Sequence, residues 1–444
     1  MTAWLSDFVS NVHAALPGTR GRPTEKVLRS LLETMYFASL RTEEAEPVAF
    51  HIVYLDPKNP DPRPPSRIVQ DRWSCTPFNQ RIAFTASTVA KIAKATDPRS
   101  SSLAVYHDDD GSLFIWGLID QGNSYYDFVH YNVDSGPERP GFFQASIIGA
   151  GQIAVYRGYE LLADYRVDTL RPDLLEVLER GPVHSALKSG LDRFVSSVRA
   201  AIPSDVYQAR GHWDTSLQRD WLTALRRILL RIQQYRHGGA ILITDSTADL
   251  NVKYELHYDR LRSCLYRRAV NTITCTHARD AIFEDYLEKG SKDIPTSLYL
   301  DQSVASTDLD DNCVEFDGVI WFISLLSRVD GLVLLTPDLG VSGFGVEIQT
   351  STMPARVTKA KSASAAQSSL TEVDYFYFGT RHRSMMRHCG AHPGSVGFVI
   401  SQDGDVRAML KVKNDVVMWD NVKLRLDDFD RRRRRQPREA LPLD

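Results

Sequence analysis

The run Gly379-Thr380-Arg381-His382-Arg383-Ser384 gathers residue types that hold phosphate. An arginine offers a planar fork of donors matched to phosphate oxygens, and a hydroxyl with nearby backbone N–H groups completes such a cradle. The glycine at its head lets backbone approach a ligand closely. The aromatic patch Tyr375-Phe376-Tyr377-Phe378 precedes the run, and the helix-compatible stretch Met385 to Cys389 follows it. That order predicts a loop-to-helix junction, where free N–H groups and the helix dipole favour anions. On residue types alone the run also fits a solvated basic turn. A second stretch, Val329-Asp330-Gly331-Leu332-Val333-Leu334-Leu335, sets an acid and a glycine directly before an apolar run of strand type. An aspartate there suits a metal ion or a ribose hydroxyl, and by itself also fits a turn that opens a buried strand.

Taken together, the two stretches resemble the diadenylate cyclase (DAC) domain family, whose signatures are Asp-Gly-Ala and Gly-Thr-Arg-His-Arg in that order. Leu225-Arg226-Arg227-Ile228-Leu229 leading into Gly238-Gly239-Ala240-Ile241-Leu242-Ile243 is similar to the family's opening helix and first strand. Gly343-Phe344-Gly345-Val346-Glu347-Ile348 and Val399-Ile400-Ser401-Gln402-Asp403-Gly404 are similar to its later strands. The resemblance runs over about residues 215–415. It implies condensation of two ATP molecules into cyclic di-AMP with release of two pyrophosphates. It further implies a homo-oligomer whose sites face each other and a Mg2+ or Mn2+ ion that bridges phosphate oxygens. In this reading Asp330 positions the 3′-hydroxyl or the metal, with Asp403 as a further metal ligand, and Arg381, His382 and Arg383 act on the phosphates. Gly331, Leu332, Ile348, Gly379, Thr380, Ser384 and Ser401 contact the nucleotide, Ile348 by packing on adenine. Three positions depart from the family pattern: Leu332 replaces the alanine, Val329 stands where some members carry a histidine, and Gln402-Asp403 replaces a Glu-Glu pair. Glu347 and Asp338 are nearby acids that could compensate. The alternative function is a catalytically degenerate regulator that binds a nucleotide or cyclic dinucleotide.

The elements that must position these residues are α/β in class. We expect a mixed β-sheet flanked by helices over residues 204–426, an α+β domain over 1–203, and a basic tail at 427–444. Trp221, Leu222, Leu225, Ile228, Leu229 and Ile232 mark one helix face before the strand Ala240–Ile243. Residues 287–315 read as an irregular acidic loop, followed by a helix over Val319 to Leu326. The Ser/Ala/Thr/Lys-rich segment between Gln349 and Asp374 reads as a mobile cover or a disordered insertion.

In the N-terminal half, residues 1–45 read as mostly helical, the second helix capped by Thr24. A strand over Val48–Leu55 ends in a proline-rich loop, and Leu103–His107 with Leu113–Ile119 flank an Asp-Gly hairpin turn. Phe142–Ile148 and Gln152–Gly158 form a second hairpin pattern, and 159–210 read as a helical connector. Phe84 to Ala95 and Leu113–Gly117 resemble the sensor-type domain called DACNV, which implies an input module for an unknown ligand.

The chain has 444 residues, 43% hydrophobic and 25% charged, with net charge −3, which argues against nucleic-acid binding by bulk electrostatics. The arginine tail, Arg431 to Arg435, leaves a weaker nucleic-acid reading open. No apolar run reaches bilayer length and no leader pattern opens the chain, so a cytoplasmic protein off the membrane is expected. Five cysteines without a C-x-x-C spacing fit reduced thiols rather than a disulfide framework or zinc site.

Overall fold

The computed structural model describes residues 3–16, 22–43, 46–59, 73–97, 100–122, 126–127, 130, 142–157, 160–166, 169–170, 174–283, 288, 295–402 and 404–425. The protein is mixed α/β and divides into two compact units, the first within residues 1–172 and the second over 173–424. The helix over residues 182–201 packs on other elements of the second unit.

The first unit begins with helices α1 (Ala3–Ala15) and α2 (Glu25–Ser39). The Thr24 side chain caps α2 by accepting from the Val27 N–H at 3.3 Å, as the sequence predicts. A short hairpin, β1 (Thr42–Glu43) and β2 (Glu46–Pro47), precedes β3 (Phe50–Tyr54), β4 (Ser74–Ala83) and helix α3 (Ala86–Ile92). Strands β5 (Ser101–His107), β6 (Leu113–Asp120), β7 (Phe143–Gly149), β8 (Gln152–Arg157), β9 (Glu160–Arg166) and β10 (Thr169–Leu170) complete an eight-stranded sheet, ordered β10-β9-β8-β7-β3-β5-β6-β4. Both expected hairpins form. Residues 160–166, read as the start of a helical connector, instead pair antiparallel with β8. Phe8, Leu28, Leu31, Leu32 and Met35 join Phe50, Ile52, Leu103, Val105, Ala145 and Ile147 in one core on the helix-covered face.

The second unit carries helices α4 (Pro182–Ala201), α5 (Ser204–Gln208), α6 (Trp213–Gln234), α7 (Arg260–Ile282), α8 (Thr296–Leu326) and α9 (Thr380–Ala391). Its strands are β11 (Gly239–Ile243), β12 (Leu250–Tyr258), β13 (Leu332–Leu335), β14 (Val341–Ile348), β15 (Val357–Ala360), β16 (Leu370–Glu372), β17 (Val396–Ile400), β18 (Val406–Val412) and β19 (Asp415–Trp419). They form one nine-stranded mixed sheet in the order β12-β14-β13-β11-β17-β18-β19-β15-β16. Helix α9 covers one face through Met385, Met386 and Cys389, which pack with Ala240, Leu242, Leu332, Leu334, Val399 and Met409. The expected loop over 287–315 is corrected from residue 296 onward, where a single helix runs to Leu326. The Ser/Ala/Thr/Lys-rich segment is likewise corrected: β15 pairs parallel with β19 and antiparallel with β16, so it builds the sheet's edge.

Candidate functional site

Strand register brings the two sequence motifs to one end of the second sheet. The parallel pairing Ile241↔Val333 sets Gly238 level with Asp330, and the antiparallel pairing Gly239↔Ile400 sets Ser401 level with Gly238. The pairings Leu332↔Val346 and Asn251↔Glu347 bring Glu347, Ile348 and Asn251 to the same end. Arg381 arrives from the covering helix. A Cβ built on Gly238 would lie 2.9 Å from Arg381 Nη1, so the guanidinium rests against glycine backbone at φ +76°. A larger residue there would displace it.

The basic run forms the first turns of α9, with Gly379 as N-cap and no side chain capping the helix. Arginines at a helix N-terminus oppose the helix dipole, and no acid stands in this first turn. The local sequence therefore works against the helix unless an anion completes it. Gly379, Thr380 and Arg381 are exposed, whereas His382, Arg383 and Ser384 are half-buried. The Ser384 Oγ accepts from Arg387 at 3.2 Å, and the Arg383 carbonyl accepts from Tyr375 OH at 3.4 Å.

His382 differs from its flanking arginines. Burial, followed by the neighbouring Arg407 cation, pushes its pKa down to about 4, which leaves the ring neutral near pH 7. Its Nε2 accepts from Arg407 Nη1 at 2.9 Å, while Arg407 Nε donates to Asp420 Oδ1 at 2.7 Å. Lys359 Nζ closes the chain on Asp420 Oδ2 at 2.6 Å. Burial raises the Asp420 pKa, but Arg407 and Lys359 together hold it below the usual carboxylate range. The chain His382–Arg407–Asp420–Lys359 pins the first turn of α9 over β18, β19 and β15. A neutral, tethered imidazole positions its neighbours rather than supplying charge. Sequence reasoning missed Arg407 on β18 and Asp420 just past β19, which belong to no local motif.

Asp330 is exposed, its Oδ1 accepting from the Gly331 N–H at 3.1 Å. Gly331 has φ +114°, and a Cβ there would stand 2.5 Å from the Gly345 carbonyl carbon. The close crossing of Gly331 and Gly345 thus fixes the backbone that presents Asp330. Lys253 stands near Asp330 and bonds Glu347 at 2.6 Å. Lys253, then Asn251, hold the Glu347 pKa below its ordinary value. Asp338, considered as a compensating acid, is at the opposite end of β13 and takes Arg193 Nε at 2.8 Å. Asp403 lies outside the described residues, as does the tail at 427–444.

Ser401 lies at the site, its Oγ accepting from the Asp405 N–H at 3.0 Å to tighten the β17–β18 turn. Gln233 Nε2 supports the same turn through the Gly404 carbonyl at 2.6 Å. Leu332 is buried within the core cluster beneath α9, so its side chain faces inward. Ile348 is half-buried beside that cluster with Leu250, Val252, Val373, Tyr375 and Phe378, an apolar margin suited to a flat ring.

A resident divalent cation needs several oxygen or nitrogen donors gathered in one place. Among the described residues no group of three or more His, Cys, Asp or Glu side chains could hold a metal ion. Asp330 offers one exposed carboxylate, and Glu347 is engaged by Lys253. That set does not build a resident site. It does fit a Mg2+ or Mn2+ ion that arrives on nucleotide phosphates, since magnesium commonly takes only one or two protein carboxylates.

Among the described residues no helix is long and apolar enough to cross a membrane. No curated protein matches the chain. The family model described as Probable sensor domain DACNV matches residues 18–120, within the first unit.

Proposed function

We propose that the second unit is a DAC-type nucleotidyltransferase that condenses two ATP molecules into cyclic di-AMP, under control of the N-terminal domain. One observation carries the reading: the uncapped, arginine-bearing start of α9 and the Asp330-Gly331 turn lie at one end of the same sheet. Thr380 and the first N–H groups of α9 cradle phosphate, Arg381 and Arg383 neutralise it, and Ser401 adds a hydroxyl contact. The adenine lies along Ile348. Asp330 holds the ribose 3′-hydroxyl or the phosphate-borne cation, which when bound draws charge from the phosphates. Two copies of the chain bring two such sites face to face. Each 3′-oxygen then attacks the opposite α-phosphorus, the hydroxyl proton leaves to solvent, and pyrophosphate departs. Two transfers close the ring. Such chemistry depends on positioning and charge stabilisation more than on covalent help.

The Lys253 ammonium beside Asp330 and Glu347 favours a second reading, a domain that binds nucleotide without turning it over. Incubating the full chain with each nucleoside triphosphate and Mg2+ or Mn2+, then resolving products by mass-detected chromatography, separates the two. Cyclic di-AMP that disappears in Asp330→Asn and Arg381→Ala supports the cyclase. ATP binding without any product supports the regulator.

A further inference from the structure

We propose that the face of the N-terminal sheet turned away from α1 and α2 is the sensor's ligand site. It takes a small, uncharged, flat molecule with hydrogen-bond donors and acceptors along one edge. The inference rests on the sensor match over 18–120 and is independent of the cyclase reading.

Register defines the site. Across β3 and β7, His51 pairs with Ser146, and the parallel pairing Ile52↔Leu103 sets His51 beside Ser102 on β5. Phe50, Ile52, Leu103, Ala145 and Ile147 point into the core under the helices, so Ser146, His51 and Ser102 form a row on the other face. Gln144 stands one pleat along, opposite Val53. Gln121 extends the β6 edge, its N–H donating to the Ser100 carbonyl at 2.7 Å. All five side chains are buried.

A buried sheet face ordinarily carries Val, Ile or Leu, and buried polar groups ordinarily find partners. Here Ser102 is 0% exposed and Gln121 is 1% exposed. Among the described residues, neither the Ser102 hydroxyl oxygen nor either amide atom of Gln121 has a hydrogen-bond partner. Burying such groups unpaired is costly, and a ligand that pairs with them recovers that cost.

The same face holds an apolar wall of Val53, Leu55, Trp73, Phe114 and Trp116, whose indole N–H donates to the Leu55 carbonyl at 2.9 Å. Tyr156 stacks over His51 with ring centroids 6.3 Å apart. Apolar walls with a few convergent polar groups are the pattern of small-molecule sites. The row carries no Lys or Arg, which disfavours phosphate, and its acid, Asp164, lies two strands beyond Ser146. A carboxamide presents a donor and an acceptor side by side and so matches the edge of a nucleobase, while the aromatic side chains suit its face.

The test uses the full chain with adenine, hypoxanthine, cytosine and uracil as probes, followed by thermal shift and equilibrium dialysis. Ser102→Ala and Gln121→Leu are run alongside wild type. The expected result is that at least one base binds and raises the melting temperature. Both substitutions weaken that binding about two- to tenfold, the effect of one lost hydrogen bond. Neither lowers the melting temperature of the ligand-free chain, because each removes an unpaired buried group. ATP binding stays at the wild-type level in both. Absence of binding by every base, or equal binding by both variants, overturns the proposal. So does destabilisation of the free variants, which would mark these groups as internally bonded structural residues.

Discussion

Gly331→Ala tests whether the crossing of β13 and β14 sets the site. The added Cβ would stand 2.5 Å from the Gly345 carbonyl carbon, 2.7 Å from its Cα and 2.8 Å from the Val346 nitrogen. All three are backbone atoms of the neighbouring strand, so no side chain can swing aside. A non-glycine residue at φ +114° adds strain of about 1–3 kcal/mol, and overpacking adds about 1–3 kcal/mol. For a unit spanning 173–424, each kcal/mol moves the melting temperature by about 2–4 °C. We therefore expect calorimetry of the full chain to show that unit's transition lowered by about 4–24 °C, with ATP binding lost as Asp330 shifts. Gly379→Ala is the control, because its φ is −63° and a Cβ there meets nothing within 4 Å. It should melt as wild type does. A Gly331→Ala protein with unchanged melting and unchanged ATP binding would refute the reasoning.

The histidines give the second unit a pH dependence. Burial holds both His382 and His388 down to about 4 from 6.5, so the folded rings stay neutral while unfolded ones take protons. Stability is fully present above pH 6.5, falls as pH drops toward 4, and levels below that. The loss is at most about 3 kcal/mol for buried His388 and less for half-exposed His382. Urea unfolding at three pH values across that window checks it, and flat stability would contradict it. Replacing Arg407 by Met removes the cation and donor facing His382, so NMR titration of that ring should move upward. An unmoved titration would mean that Arg407 does not hold the ring. Lys253→Met frees Glu347 beside Asp330, and Mn2+ should bind several-fold tighter by paramagnetic relaxation. Unchanged Mn2+ binding would separate Glu347 from the site.

Much of this was legible because local chemistry determined it. Thr24 caps α2, the Asp-Gly turn closes β5 and β6, and Gly379 opens α9 where the basic run predicts a helix start. The mistaken regions depend on distant partners. Val357-Thr358-Lys359-Ala360 joins two strand formers to two residues depleted in strands, and pairing with β19, nearly sixty residues later, decides it. Helix α8 as a whole packs chiefly on α7, and in its first half Tyr299, Leu300 and Val304 remain exposed, so no full apolar stripe marks it. Leu161, Leu162 and Tyr165 fit a helical face as well as a strand, and pairing with β8 decides between them. At the site, the motifs pointed to Asp330 and Arg381. The tether of His382 through Arg407 to Asp420 is a product of sheet order alone.

Calorimetric titration of ATP with Mg2+ into wild type and Arg381→Ala measures the central assignment most directly. A charge-assisted phosphate contact contributes about 1.5–3 kcal/mol, so Arg381→Ala should bind ATP about 10- to 150-fold more weakly. Equal affinity in the two proteins would remove the start of α9 as the phosphate site and the cyclase reading with it.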